Sequence, residues 1–134
     1  MLPNDLNFIL NSYLKSYRNS PETKDIVNGI YFSDYRDRIA LLLQSSEVTV
    51  ICAEDDEDHI IGYAVHRLIG DWPLIHYVYV KHPFRGMKMA TTMLETLYPE
   101  FGHRMSVVSH MPKNWKKLKD KFNLIYNPNQ ARTT

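Results

Sequence analysis

Apolar residues recur at helical spacing near the start of the chain, and this periodicity predicts a first amphipathic helix. The recurring apolar residues are Leu6, Ile9, Leu10, Tyr13, Leu14 and Tyr17. Asn4 or Asp5 can cap this helix, and the Asn19-Ser20-Pro21 run ends it. A loose segment follows, and Ser33 with Asp34 then predicts the start of a second helix.

Three stretches rich in β-branched and aromatic residues predict strands at residues 48–53, 60–65 and 74–81. The acidic run at 54–59 is expected to form the first hairpin turn, and residues 70–73 the next. The third stretch is almost continuously apolar, which is typical of a strand buried on both faces.

The second half of the chain alternates between segments with helical spacing of apolar residues and short runs typical of strands. It predicts a helix at 86–98, a strand at 105–109, a basic helix from Pro112 to about Phe122 and a strand at 124–126. The order α α β β β α β α β predicts an α/β (α+β) fold with a mixed central sheet and about four flanking helices. We expect one domain over residues 1–134, with a frayed tail at 127–134.

Composition narrows the classes of function. The hydrophobic fraction of 44% and the 12% of aromatic residues argue against a disordered chain. The net charge of +1 argues against a nucleic-acid-binding protein. The single cysteine excludes an intramolecular disulfide, and no apolar run approaches the ~20 residues of a membrane span. We therefore expect a cytoplasmic protein without a membrane partner.

Candidate chemistry lies at residues 80–90, V-K-H-P-F-R-G-M-K-M-A. A strand, a short turn and a helix beginning at Gly86 are predicted there. The N-terminus of a helix presents unpaired N–H groups and the positive end of the dipole, which suits a pyrophosphate. Arg85 and Lys88 add positive charge, and Gly86 lets a ligand approach the backbone.

This segment resembles motif A of the GNAT (Gcn5-related N-acetyltransferase) superfamily, Q/R-x-x-G-x-G/A after a strand ending in Val. Arg85 matches the first position, Ala90 the last, and Val80 the end of the strand. Residues 60–65, IIGYAV, resemble the third strand of the family, and the similarity covers residues 5 to 127. Lys88 departs from the motif at a position where Gly is usual; its side chain would either crowd a pyrophosphate or pair with it.

The resemblance implies acetyl-CoA as the cofactor. Backbone groups of Val78, Tyr79 and Val80 would bind the acetyl carbonyl and pantetheine. Asn114 matches an Asn that often contacts pantetheine in the family. The residues implied around the pyrophosphate are Arg85, Gly86, Met87, Lys88, Met89, Ala90 and Thr91.

The activity implied is acetyl-CoA-dependent N-acetyl transfer, in which the primary amine of an unknown acceptor attacks the thioester directly. His76 is the candidate base because imidazole titrates near neutral pH, and Tyr126 is the candidate acid. The alternative for His76 is a hydrogen-bonded structural histidine. The five other histidines and the lone cysteine lack zinc-ligand spacing, so no metal is expected.

A second class of function stays open: a GNAT-like binding protein that is catalytically weak or inactive, such as a phage protein acting on a host protein. Lys88 favours this alternative, as does Lys119 near the place where the family often has a Tyr. As a whole, the chain resembles the short GNAT-like proteins of phages and bacteria. A phage-encoded chain would act in the host cytoplasm. Expected partners are a small-molecule or protein amine acceptor, and the chain is expected to be a monomer or homodimer.

Overall fold

A computed structural model describes residues 5–53, 55–85 and 88–131 of the chain. The helices are α1 (Asp5–Tyr17), α2 (Asn28–Gln44), α3 (Met89–Leu97) and α4 (Trp115–Phe122). The strands are β1 (Glu47–Ala53), β2 (Asp56–Ile69), β3 (Trp72–Val80), β4 (Ser106–Val108) and β5 (Leu124–Tyr126). Short 3-10 helices cover His82–Phe84 and Pro128–Ala131.

The five described strands form one sheet in the order β1-β2-β3-β4-β5. The first two pairings are antiparallel hairpins. The last two are parallel and are connected through α3 and α4, as expected for strand–helix–strand units. The predicted mixed sheet with about four helices is confirmed.

Hydrophobic cores cover the two faces of the sheet. One core joins α1 and α2 to β2, and includes the fully buried Tyr13, Tyr31 and Tyr63. The other joins β3 and β4 to α3, and includes Ile75 and Leu94. Strand β3 contributes side chains to both cores, so the prediction that this strand is covered on both faces is confirmed.

Helix α2 begins at Asn28, so its predicted start at Ser33 and Asp34 is wrong. No side chain caps the observed start, where Val27 is the N-cap residue. Tertiary contacts stabilise the early turn: the Tyr31 hydroxyl donates to the Leu14 carbonyl, and the Arg18 Nε donates to the Asn28 side chain at 2.9 Å. Contacts with α1 therefore outweigh the local capping signal.

Both hairpin turns are tighter than the sequence predicts. Ala53 pairs with Asp56, and Ile69 pairs with Trp72, so β2 extends well beyond the predicted residues 60–65 at both ends. Gly70 takes the left-handed φ of 59° in the second turn, a conformation that glycine adopts without steric cost.

At the C-terminal end, the Asn127 N–H donates to the Val108 carbonyl at 2.9 Å, and Arg67 donates to Gln130 at 3.3 Å. Residues 132–134 of the predicted frayed tail, and the predicted cap Asn4, lie outside the described residues. The single-domain assignment and the fraying stay predictions. Within the described ranges, no helix combines the length and the hydropathy that crossing a bilayer requires.

Candidate functional site

Strand β3 contains a β-bulge at His76. Tyr77 and Ile75 pair with the adjacent residues Val65 and His66, which leaves His76 as the extra residue. Such a bulge bends its strand and disrupts the ladder locally. On its other edge β3 pairs with β4 only at Leu74 and Ile75, and the Ser109 N–H still donates to the Ile75 carbonyl. Beyond this point β4 ends, and β3 continues to Val80 without a partner on this edge among the described residues.

A cleft of about 450 Å³ lies along this edge of β3 and is bounded by α3, α4 and the residues that follow β4. Five residues predicted as site residues line it: His76, Val78, Arg85, Ala90 and Thr91. Residues that sequence reasoning did not propose complete the walls, among them Ser16 and Tyr17 of α1, His110 and Met111 after β4, and Phe122 of α4. The cleft thus runs from the start of α3 along β3 to the end of α1.

The start of α3 forms one end of the cleft. Helix α3 begins at Met89, three residues later than predicted from Gly86; the structure of Gly86 and Met87 lies outside the described residues. The Thr92 N–H donates to the Lys88 carbonyl, so Met89, Ala90 and Thr91 occupy the first turn, where N–H groups lack acceptors within the helix. Ala90 and Thr91 line the cleft, and the amides in the first turn of a helix suit an anion.

Lys88 is the N-cap residue of α3 and adopts a left-handed conformation with φ 56° and ψ 27°. Its side chain makes no capping hydrogen bond and is exposed. A left-handed backbone conformation is favourable for glycine and costly for lysine. This gives a physical reason for glycine at this point of the motif.

Arg85 lies between β3 and α3. Its Nε donates to the Val80 carbonyl at 2.7 Å, and its guanidinium lies 5.7 Å from the centre of the Tyr79 ring. These contacts fix a positive charge at the end of the cleft where the first turn of α3 lies. Lys113 lines the same cleft and adds a second positive charge.

His76 lies deep in the cleft wall and is 2% exposed. Its Nδ1 forms a hydrogen bond with the Ser109 hydroxyl at 2.6 Å, while its Nε2 has no partner among the described residues. Burial, followed by the charges of His110 and Arg67, lowers the pKa of His76 to about 3. The imidazole is therefore neutral at physiological pH.

Tyr126 donates its hydroxyl proton to the Glu22 carboxylate. Burial and this acidic partner raise the pKa of Tyr126 above its usual value. Glu22 also accepts hydrogen bonds from the Tyr17 hydroxyl and the Met111 N–H, both at 2.8 Å. Tyr126 is not among the residues that line the cleft, and Glu22 connects it to two residues that do.

Among the predicted residues that the structure describes, those besides Tyr126 that do not line the cleft are Tyr79, Val80, Lys88, Met89 and Asn114. The Tyr79 ring stacks on Tyr63, and the Val80 carbonyl already accepts a hydrogen bond from Arg85. Asn114 is the exposed N-cap residue of α4 and makes no side-chain capping bond. Contacts of these residues with a cofactor stay predictions.

The model of the acetyltransferase (GNAT) family matches residues 6–111. The chain belongs to this family. Searches of curated proteins and of solved structures gave no match. Membership supports an acetyltransferase-type function in general.

Sequence reasoning missed Glu22, Ser109 and His110. Glu22 lies in the segment predicted as loose, and no periodicity or motif marks it. Ser109 and His110 follow a strand end, which is a usual position for functional side chains. Their position at the end of a predicted strand was the one signal in the sequence that pointed to Ser109 and His110.

Proposed function

We propose that this protein is an acetyl-CoA-dependent N-acetyltransferase that acts on a primary amine. The observation that carries the proposal is the cleft along the edge of β3 beyond Ile75, which reaches the first turn of α3 beside Arg85. A pyrophosphate fits this end because amides, helix dipole and guanidinium all favour an anion. Val78 lines the middle of the cleft, where pantetheine would lie.

The acetyl group would lie at the opposite end, near the bulge at His76 and the rings of Tyr17 and His110. On the edge of β3 that faces away from β2, the backbone beyond Ile75 has no strand partner there among the described residues. An N–H of this backbone would polarise the thioester carbonyl. The amine would attack the carbonyl carbon, the C–S bond would break, and the proton lost by the attacking nitrogen would balance the one taken up by the thiolate of CoA.

The acid and base roles of Tyr126 and His76 stay predictions. Burial makes His76 a weak base, because its pKa is lowered to about 3. Tyr126 is a weak acid, because burial and its hydrogen bond to the Glu22 carboxylate raise its pKa above the usual value. A pH profile of kcat/KM for His76→Gln tests the base role: the role requires a large loss of rate together with a changed acidic limb.

The cofactor proposal is tested by thermal unfolding with and without acetyl-CoA. A ligand at 100 times its Kd adds about 2.7 kcal/mol to the free energy of unfolding. Ala90→Glu places a carboxylate in the cleft and should abolish this shift; Thr92→Glu, on the exposed side of α3, is the matched control. No shift of the wild type at millimolar acetyl-CoA refutes the proposal.

The second candidate is a binding protein without turnover. The burial of His76 and His110 favours it, since burial lowers the pKa of His76 to about 3 and that of His110 to about 4. A shift in melting temperature with acetyl-CoA, but no release of free CoA across a panel of amines, would support this candidate. Steady release of CoA with an acetylated amine would exclude it.

A further inference from the structure

A second cavity of about 610 Å³ lies between α2, the end of α1 and the residues after β4. It shares Tyr17 and His110 with the cleft along β3 that we propose for acetyl-CoA, called the cofactor cleft below. The rings of these two residues stack with their centres 4.5 Å apart. The α2-side cavity therefore meets the cleft at the end where the acetyl group would lie.

Glu22 supplies a negative charge to the α2-side cavity. Its carboxylate accepts from the Tyr17 hydroxyl, the Met111 N–H and the Tyr126 hydroxyl. Tyr17 and Met111 also line the cofactor cleft, so Glu22 is held close to the junction of the two spaces. A carboxylate has about four acceptor sites, which leaves room for one more donor such as an ammonium group.

Arg38 supplies a positive charge to the same cavity. Its guanidinium lies 5.1 Å from the centre of the Tyr35 ring, and it makes no ion pair within residues 5–53, 55–85 and 88–131. Arg38 belongs to α2, and α2 contributes no residue to the wall of the cofactor cleft. The cavity thus carries opposite charges on different walls, with the negative one near the cleft.

A third cavity, of about 330 Å³, lies beside the β2–β3 turn and offers a contrast. Its lining residues Arg104 and Glu100 already pair with each other at 3.2 Å. It shares only Phe101 with the cofactor cleft among the lining residues described. The positive charge of Arg104 is thus compensated by Glu100, Asp71 adds a second carboxylate, and neither Tyr17 nor His110 lines this cavity.

We propose that the α2-side cavity binds an acceptor that carries both a primary amine and an anionic group. The amine lies toward the Glu22 carboxylate, and the anionic group pairs with the Arg38 guanidinium, which suits carboxylate and phosphate equally. This inference rests on the proposed acetyltransferase function, whose acceptor it specifies. The ammonium loses one proton before attack; transfer then gives an N-acetyl amide, free CoA thiol and one released proton in total.

The test uses small amines of matched size. Calorimetry with the free protein measures binding of 4-aminobutyrate, phosphoethanolamine, butylamine and butyrate, and mass spectrometry measures their acetylation with acetyl-CoA. We expect the two amines that carry an anionic group to be bound and acetylated in preference to butylamine, with butyrate binding weakly. Comparison of 4-aminobutyrate with phosphoethanolamine shows whether the cavity prefers a carboxylate or a phosphate.

The Arg38→Met variant should lower kcat/KM for the preferred anionic amine about tenfold, equivalent to 1.4 kcal/mol, and leave butylamine unchanged. Arg38→Lys should retain part of the preference. Arg36→Met is the matched control, because Arg36 is exposed on the same helix and does not line the cavity. Equal use of butylamine and the anionic amines, or equal effects of Arg38→Met and Arg36→Met, would overturn the inference.

Failure of the inference is distinguishable from failure of the proposed function. If acetyl-CoA stabilises the protein but the anionic amines show no preference, only the inference is wrong. If acetyl-CoA fails to bind, the proposed function is wrong, and calorimetry on the free protein still decides whether the cavity binds an anionic amine. Binding of butyrate as tightly as 4-aminobutyrate would also overturn the inference, since the Glu22 carboxylate then plays no part.

Discussion

Replacement of Lys88 by glycine is expected to stabilise the protein. Lys88 has a left-handed backbone with φ 56°, its side chain is exposed, and it makes no capping hydrogen bond. A left-handed conformation costs a non-glycine residue about 1–2 kcal/mol, while the extra freedom of glycine in the unfolded chain costs about 0.5–1 kcal/mol. The difference favours Lys88→Gly by about 0.5–1 kcal/mol.

This gain corresponds to a measurable change in melting temperature. With about 2.1 cal/mol/K of unfolding entropy per residue, a chain of 134 residues should gain about 2–4 °C. Urea unfolding and thermal unfolding without ligand measure it. The control is Lys117→Gly, at a solvent-exposed position within α4, which should destabilise the protein by about 1 kcal/mol.

Asn123→Gly is a second control, because Asn123 has a left-handed φ of 54° and asparagine tolerates this conformation. Its effect should be smaller than that of Lys88→Gly. A Lys88→Gly variant less stable than the wild type would refute the strain at Lys88. The same variant decides between the two roles of the side chain: tighter acetyl-CoA binding means that Lys88 crowds the cofactor, and weaker binding means that its ammonium pairs with it.

Three further predictions concern the strands and the buried polar groups. A Cβ at Gly62 would lie 2.5 Å from the Tyr79 carbonyl oxygen, so Gly62→Ala should destabilise the protein by about 1–3 kcal/mol in urea unfolding; an unchanged midpoint would contradict the β2–β3 register. Burial lowers the pKa of His76 to about 3 and of His110 to about 4, so in acid the unfolded chain binds more protons than the folded one. The free energy of unfolding should therefore be highest above pH ~6.5 and fall toward pH ~4, by up to about 1.4 kcal/mol per pH unit for each imidazole. His110→Gln should make this dependence of stability on pH shallower. Equal slopes for the wild type and the variant would refute this account. The acid role predicted for Tyr126 requires Tyr126→Phe to lower kcat about 100-fold at unchanged KM, and an unaltered kcat excludes that role.

Local patterns predicted most of the fold. The periodicity of α1 and the β-branched runs of β1 and β2 reflect burial on one side of an element, which the sequence records directly. The start of α2 was mispredicted because Tyr31 is buried against α1, a contact between residues 17 positions apart. The start of α3 was mispredicted because Lys88 adopts a conformation that its side chain does not favour.

By itself, the sequence determined the order of helices and strands and one end of the candidate site. Arg85 and the first turn of α3 adjoin β3 in the chain, so a motif of a few residues specifies that end. The tertiary structure alone decided the other end. Glu22 meets Tyr126 from 104 positions away, and His76 meets Ser109 from 33. Contacts at such separations depend on how the sheet and helices pack, and no local pattern of residues records that packing.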